Sequence, residues 1–155
     1  MYGNLMNRLE EGRNFTGREI REGDDITMYL WSDRHCYYVT SVESQKRIKV
    51  REYIVMHDKS KEWYMGSQDW VYFKTIEEAK KYFPDYSVCD SGEETWVFRY
   101  GKWMREFRLN EMRHPDAYSK REREHFQKHG WFNTYGDLTG NVSFGVRSYH
   151  YDYEF

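Results

Sequence analysis

Four groups of residues in this chain are of types that could do chemistry. His125 and His129 stand four apart, a spacing that sets two imidazoles on one face of a helix and can hold zinc. The zinc-hydrolase pattern HExxH needs Glu directly after the first His, where Phe126 stands, and no third ligand is within sequence reach. The pair reads as solvated imidazoles, and neither a metal nor a cofactor is expected. Asp33-Arg34-His35, His57-Asp58 and Asp24-Asp25 offer the acid–base or paired-carboxylate groups that hydrolases and nucleases use. Adjacent residues on a strand point to opposite faces, which weakens each as a dyad. Neither GxxxxGK[ST] nor GxGxxG between strand and helix occurs, so no phosphate-cradling loop is present. The expectation is a protein that is not an enzyme, with a small hydrolase built on Asp33, Arg34 and His35 as a second alternative.

Residues suited to binding are more abundant. Between positions 99 and 129 Lys and Arg outnumber Asp and Glu, and Tyr100, Trp103 and Arg105 stand in that stretch. Rings that stack bases beside cations that meet phosphates are the chemistry of single-strand nucleic-acid binding. An ordinary solvated hairpin and helix has the same composition. Trp31, Asp33 and Arg34 sit where a turn is expected, and a ring beside a guanidinium can grip a protein, a base or a phosphate. The structural alternative has Asp33 bonding turn amides and Arg34 pairing with an acid to close the hairpin. Tyr149 to Phe155 alternates aromatic with polar residues. As a strand it puts Tyr149, Tyr151, Tyr153 and Phe155 on one face, which either packs into the sheet or docks a partner.

The elements that position these residues must be built largely from rings. Aromatic residues make up 19% of the chain while Ala occurs only at positions 79 and 117, so a helix bundle is excluded and strands are favoured. Net charge is −2, from 24 Lys and Arg against 26 Asp and Glu, which excludes a polybasic protein that holds nucleic acid by bulk charge. Period-two patterns place strands at 26–31, 36–42 and 48–55, an antiparallel meander with Ile26, Met28, Leu30, Val39, Ile48 and Val50 inside. The expected fold is α+β and β-rich: a curved antiparallel sheet or small SH3-like barrel with two or three short helices. One domain of 155 residues is expected. Its parts would be a barrel-like meander at about 20–75, a helix at 76–83, an acidic linker at 85–95, and a hairpin, surface helix and closing strands at 96–155. Further strand candidates are 69–73 and 142–149. A short helix is also expected over 4–11. Thr75-Ile76-Glu77-Glu78 and Ser119-Lys120-Arg121-Glu122 are capping boxes that open helices. The acids of 85–94 have no basic sequence neighbour.

Cys36 and Cys89 fit neither a disulfide framework nor a zinc ribbon, so both are expected to be buried free thiols in a reducing cytosol. No signal peptide or membrane span is visible, which points to the cytoplasm of the host cell and away from a membrane.

Two stretches carry a resemblance: Gly23 to Thr27 with Leu30-Trp31-Ser32-Asp33-Arg34-His35 and Val39 to Val42, and the close Ser143 to Phe155. They resemble a loosely defined group of small proteins from phages and other mobile elements of Firmicutes. The likeness covers roughly the first 55 residues and the last 15, and no catalytic residue carries over from it. It implies an accessory phage protein with an anti-defence role: a non-catalytic inhibitor, anti-CRISPR-like or a sponge for immune-signalling nucleotides. The implied partner is a host defence protein or its nucleic-acid or nucleotide ligand. The alternative is a nucleic-acid-binding module with an aromatic and basic surface.

Overall fold

The computed structural model describes residues 19–85 and 87–153. The helix expected over 4–11 lies outside these, as does the end of the C-terminal aromatic run. The chain forms β1 (Asp25–Tyr29), β2 (Arg34–Ser44), β3 (Arg47–Glu52), β4 (Ile54–His57) and β5 (Trp70–Phe73). Helix α1 (Ile76–Tyr82), β6 (Glu93–Arg99) and β7 (Lys102–Leu109) follow. A 3₁₀ turn at Pro115–Ala117, helix α2 (Lys120–His129), β8 (Phe132–Asp137) and β9 (Asn141–Phe144) complete it. Both helices open as their sequences dictate. Thr75 Oγ1 accepts from the Glu78 amide, and Ser119 and Glu122 form the full reciprocal capping box before α2 ends at left-handed Gly130. No described helix is long and apolar enough to cross a membrane.

Seven strands make one antiparallel sheet in the order β8-β7-β6-β3-β2-β1-β9, and β4 pairs with β5 separately. The fold is therefore β-rich and α+β, as its composition requires. It is not the SH3-like barrel that was one expectation. After β3 the chain turns at Tyr53 into the second sheet, and β3 takes β6 as its next neighbour. The expected third strand at 48–55 is thus two strands in two sheets.

The sheet is nonetheless strongly curled. Trp103 on β7 and Phe144 on β9 belong to strands five spacings apart, about 24 Å in a flat sheet. Their ring centroids are 5.5 Å apart. The concave face so formed holds the core: Ile20, Ile26, Met28, Tyr37, Val39, Ile48, Val50, Trp96, Trp103 and Val142. Leu30 stays half-buried at its margin. Deleting either buried indole would cost about 3–5 kcal/mol.

The outer face of β1 and β2 is covered as well. Cys36, Tyr38 and Tyr53 cluster there with Val55, Tyr72 and Tyr149, so β2 is buried on both sides. Thr27, which alternation turns away from the core, is fully buried: its hydroxyl donates to the Val146 carbonyl at 2.7 Å and accepts from the Ser148 amide. The segment after β9 thus crosses the outer face as a strap. Only an isolated bridge between Arg34 and His150 is sheet-like in it, so neither the strand expected to continue from 142 to 149 nor an aromatic strand beyond it forms among the described residues. Two other expectations change. The acidic 85–95 segment is tied to the sheet by Asp90–Arg51 and Glu94–Arg105 ion pairs and enters β6 at Glu93. Cys36 is buried but Cys89 is exposed, and both are free.

Candidate functional site

The far end of the sheet carries the basic stretch read from the sequence. β6 and β7 are joined by Tyr100-Gly101, with Arg99 opposite Lys102. Both turn residues have positive φ, 55° and 76°. A two-residue turn of this hand matches strand twist and favours Asn-Gly, because a left-handed backbone strains other side chains. Tyr100 accepts that strain and projects its ring into solvent, 82% exposed.

β8 lies beside β7, and α2 packs on β8 through Phe126 and Phe132, whose rings are 5.9 Å apart. Between the Tyr100 turn, β8 and the first turns of α2 lies a cavity of about 550 Å³ lined in part by Arg99, Tyr100, Arg121, His125, Trp131 and Tyr135. The Arg99 guanidinium stacks over Tyr135 at 4.2 Å, and Arg108 stacks over Trp131 at 4.0 Å. Glu122 also faces the cavity, but its Oε1 accepts from the Ser119 amide in the helix cap. His125 leans on Trp131 with centroids 4.5 Å apart and has a buried Nε2 with no partner among the described residues. Desolvation first, then the charges of His129, Lys128, Arg108 and Arg121, hold its pKa below the ordinary histidine value, so it is neutral near pH 7.

The basic excess of 99–129 divides in two. Lys102 pairs with Asp137, Arg105 with Glu94, Arg113 with Glu111 and Lys120 with Glu124. Arg123 donates to the Pro115 and Tyr118 carbonyls. Arg99, Arg108, Arg121 and Lys128 make no ion pair among the described residues; Arg99 and Arg121 line the cavity, and Arg108 is stacked over the lining residue Trp131. The site is a ring-lined pocket with a local positive charge on a chain whose net charge is −2.

The seven candidate binding residues separate accordingly. Tyr100 stands at the cavity rim. Trp103 is only 2% exposed and belongs to the core, packed edge-on or tilted against Phe98 and Phe144, which leaves it no surface for a ligand. Arg105 is committed to Glu94, which also accepts from the Trp96 indole at 3.3 Å; that pair seals the margin of the core. Asp33 and Arg34 hold the strap: Asp33 Oδ1 accepts from the Asp152 amide at 2.6 Å and Arg34 Nε donates to the Ser148 carbonyl at 3.0 Å. Their work is structural, although it fastens the C-terminal segment rather than the hairpin. Trp31 is 95% exposed beside them, and Tyr151 is half-exposed on the strap itself. The structure does not bring Trp31, Tyr100 and Tyr151 into one pocket.

Sequence reasoning did not single out Trp131 and Tyr135, and it weighed His125 only as a metal ligand. The available signal was the ring-rich strand directly after a helix with few apolar residues. The imidazoles of His125 and His129 do meet, at 4.4 Å between centroids. Among the described residues no three His, Cys, Asp or Glu side chains gather as a metal site. Comparison with family models, curated proteins and solved structures yields no match.

Proposed function

We propose that the protein binds, without transforming it, an anionic aromatic ligand of nucleotide type in the cavity between the Tyr100 turn, β8 and α2. The observation that carries this reading is that Arg99 and Arg121, which make no ion pair among the described residues, line one cavity with Tyr100, Trp131 and Tyr135, while Arg108 stacks over Trp131. Guanidiniums match phosphate oxygens, and aromatic rings suit a base. The Asn133 amide, which lines the cavity, can meet a polar edge of a base. In an accessory protein of a phage, such a cavity would act as a sponge that withholds a nucleotide or strand end from host defence.

A second reading, an inhibitor that occludes a host defence protein, rests on Trp31 standing 95% exposed at the tip of the β1–β2 hairpin. Calorimetric titration separates the two. Nucleotides and short oligonucleotides should bind with affinity that falls steeply with salt, and nucleosides lacking phosphate should bind far more weakly. Arg99→Ala and Arg121→Ala should each weaken binding about tenfold, the worth of one charge-assisted contact. Affinity that ignores phosphate, salt and both variants would overturn the nucleotide reading.

A further inference from the structure

A second cavity, of about 540 Å³, opens where β4 and β5, the strap and the 87–91 segment meet. Its walls are rings set nearly at right angles. Trp70 meets Tyr149 at 4.8 Å and 83°, Tyr151 meets Tyr153 at 4.9 Å and 80°, and Trp63 meets Tyr153 at 6.3 Å and 70°. Perpendicular rings present several π faces to one space. Among the described lining residues there is no Lys or Arg, and Glu52 is the only carboxylate. Its Oε1 lies 3.0 Å from His35 Nδ1 and its Oε2 accepts from Ser91 Oγ at 3.1 Å, which fixes the carboxylate at the cavity wall. The nearby Arg147 is stacked over Tyr72 at 4.3 Å and does not line the space. The two cavities thus have opposite character: the first gathers guanidiniums, the second gathers ring faces around one acid.

We propose that this second cavity binds an alkylated ammonium group, such as choline or a methylated lysine side chain carries, with the rings as walls and Glu52 as counter-charge. Ring quadrupoles attract a diffuse cation that carries no strong hydration shell, while a neutral group of the same shape gains only apolar contact. The cavity is large enough for the trimethylammonium head and part of its chain.

The test is titration of the whole protein, by calorimetry, with choline, with free trimethyl-lysine and with 3,3-dimethylbutanol, the neutral isostere of choline. At least one cation should bind saturably and about fivefold or more tighter than the isostere. Whichever cation binds tighter identifies the source of the group. Glu52→Gln should weaken the cation about fivefold while leaving isostere binding nearly unchanged, and Tyr151→Ala at the half-exposed rim should weaken the cation more than the isostere, with a thermal scan showing that each variant is folded. Equal affinity for cation and isostere, or no saturable binding of either cation by the folded protein, overturns the proposal. Nucleotide binding at the first cavity is unaffected by either result.

Discussion

At the scale of single residues, Tyr100 and Trp103 set out the chemistry of the site and of the core. They stand three apart, are both aromatic, and flank the same turn, yet one is 82% and the other 2% exposed. Sequence places both on a hairpin; it does not reveal that the two-residue turn begins at Tyr100, which rotates that ring out of the alternation. A left-handed tyrosine costs about 1 kcal/mol or more against a residue suited to the position. Tyr100→Asn should therefore raise the melting temperature by about 2–4 °C while weakening nucleotide binding. A thermal scan and a titration on one sample check both halves. Glu106 makes a second case. Burial pushes its carboxyl pKa up, but the two hydrogen bonds from Arg47, at 2.6 and 2.7 Å, outweigh that and hold it below the ordinary value. A lowered pKa contributes stability above the unfolded value, and that contribution is lost as pH falls through the folded one. Arg47→Ala should cost about 2–3 kcal/mol near neutral pH, less than the roughly 3–5 kcal/mol of a fully buried pair, since Arg47 keeps 35% of its side chain exposed. It should also flatten the acid limb of the stability curve, which urea titrations at stepped pH would record.

At the scale of elements, what was legible is what is local. Period-two patterns found β1, β2 and most of β3, and the caps at Thr75 and Ser119 marked where both helices begin, although only the Ser119–Glu122 box closes reciprocally among the described residues. The β3–β6 and β1–β9 pairings were not legible, because partners so distant in sequence leave no local spacing to read. The strap was misread as a strand for a related reason. Its alternation reflects alternate contacts with the outer face of β1 and β2, where Thr27, Arg34 and Asp33 supply hydrogen bonds that a neighbouring strand would otherwise make. Thr27 shows the consequence: a polar residue that alternation points outward is 0% exposed. Arg34→Ala removes the bond to the Ser148 carbonyl and should lower stability by about 1–2 kcal/mol. If Arg34 is only a fastener, nucleotide affinity at low temperature stays native in that variant; a loss of affinity without loss of melting temperature would make it a contact residue instead.

At the scale of the whole molecule, curl and charge separation connect sequence to function. A chain short of aliphatic residues closes a curled sheet around indoles and phenols, bringing β7 and β9 ring to ring across the concave face. Of the acids at 85–94, Asp90 is spent on Arg51 and Glu94 on Arg105, and Glu106 is spent on Arg47, while Arg99 and Arg121 at the cavity make no ion pair among the described residues. The net charge of −2 therefore conceals a positive pocket, which summed composition could not disclose. The most direct measurement of the central claim is to incubate the purified protein with a mixed pool of nucleotides and short oligonucleotides, wash it, denature it, and identify what it releases by mass spectrometry. The account predicts an intact phosphorylated species in near-stoichiometric yield, lost when Arg99 and Arg121 are both replaced by alanine. Release of nothing, or of hydrolysed products that accumulate with time, would contradict it.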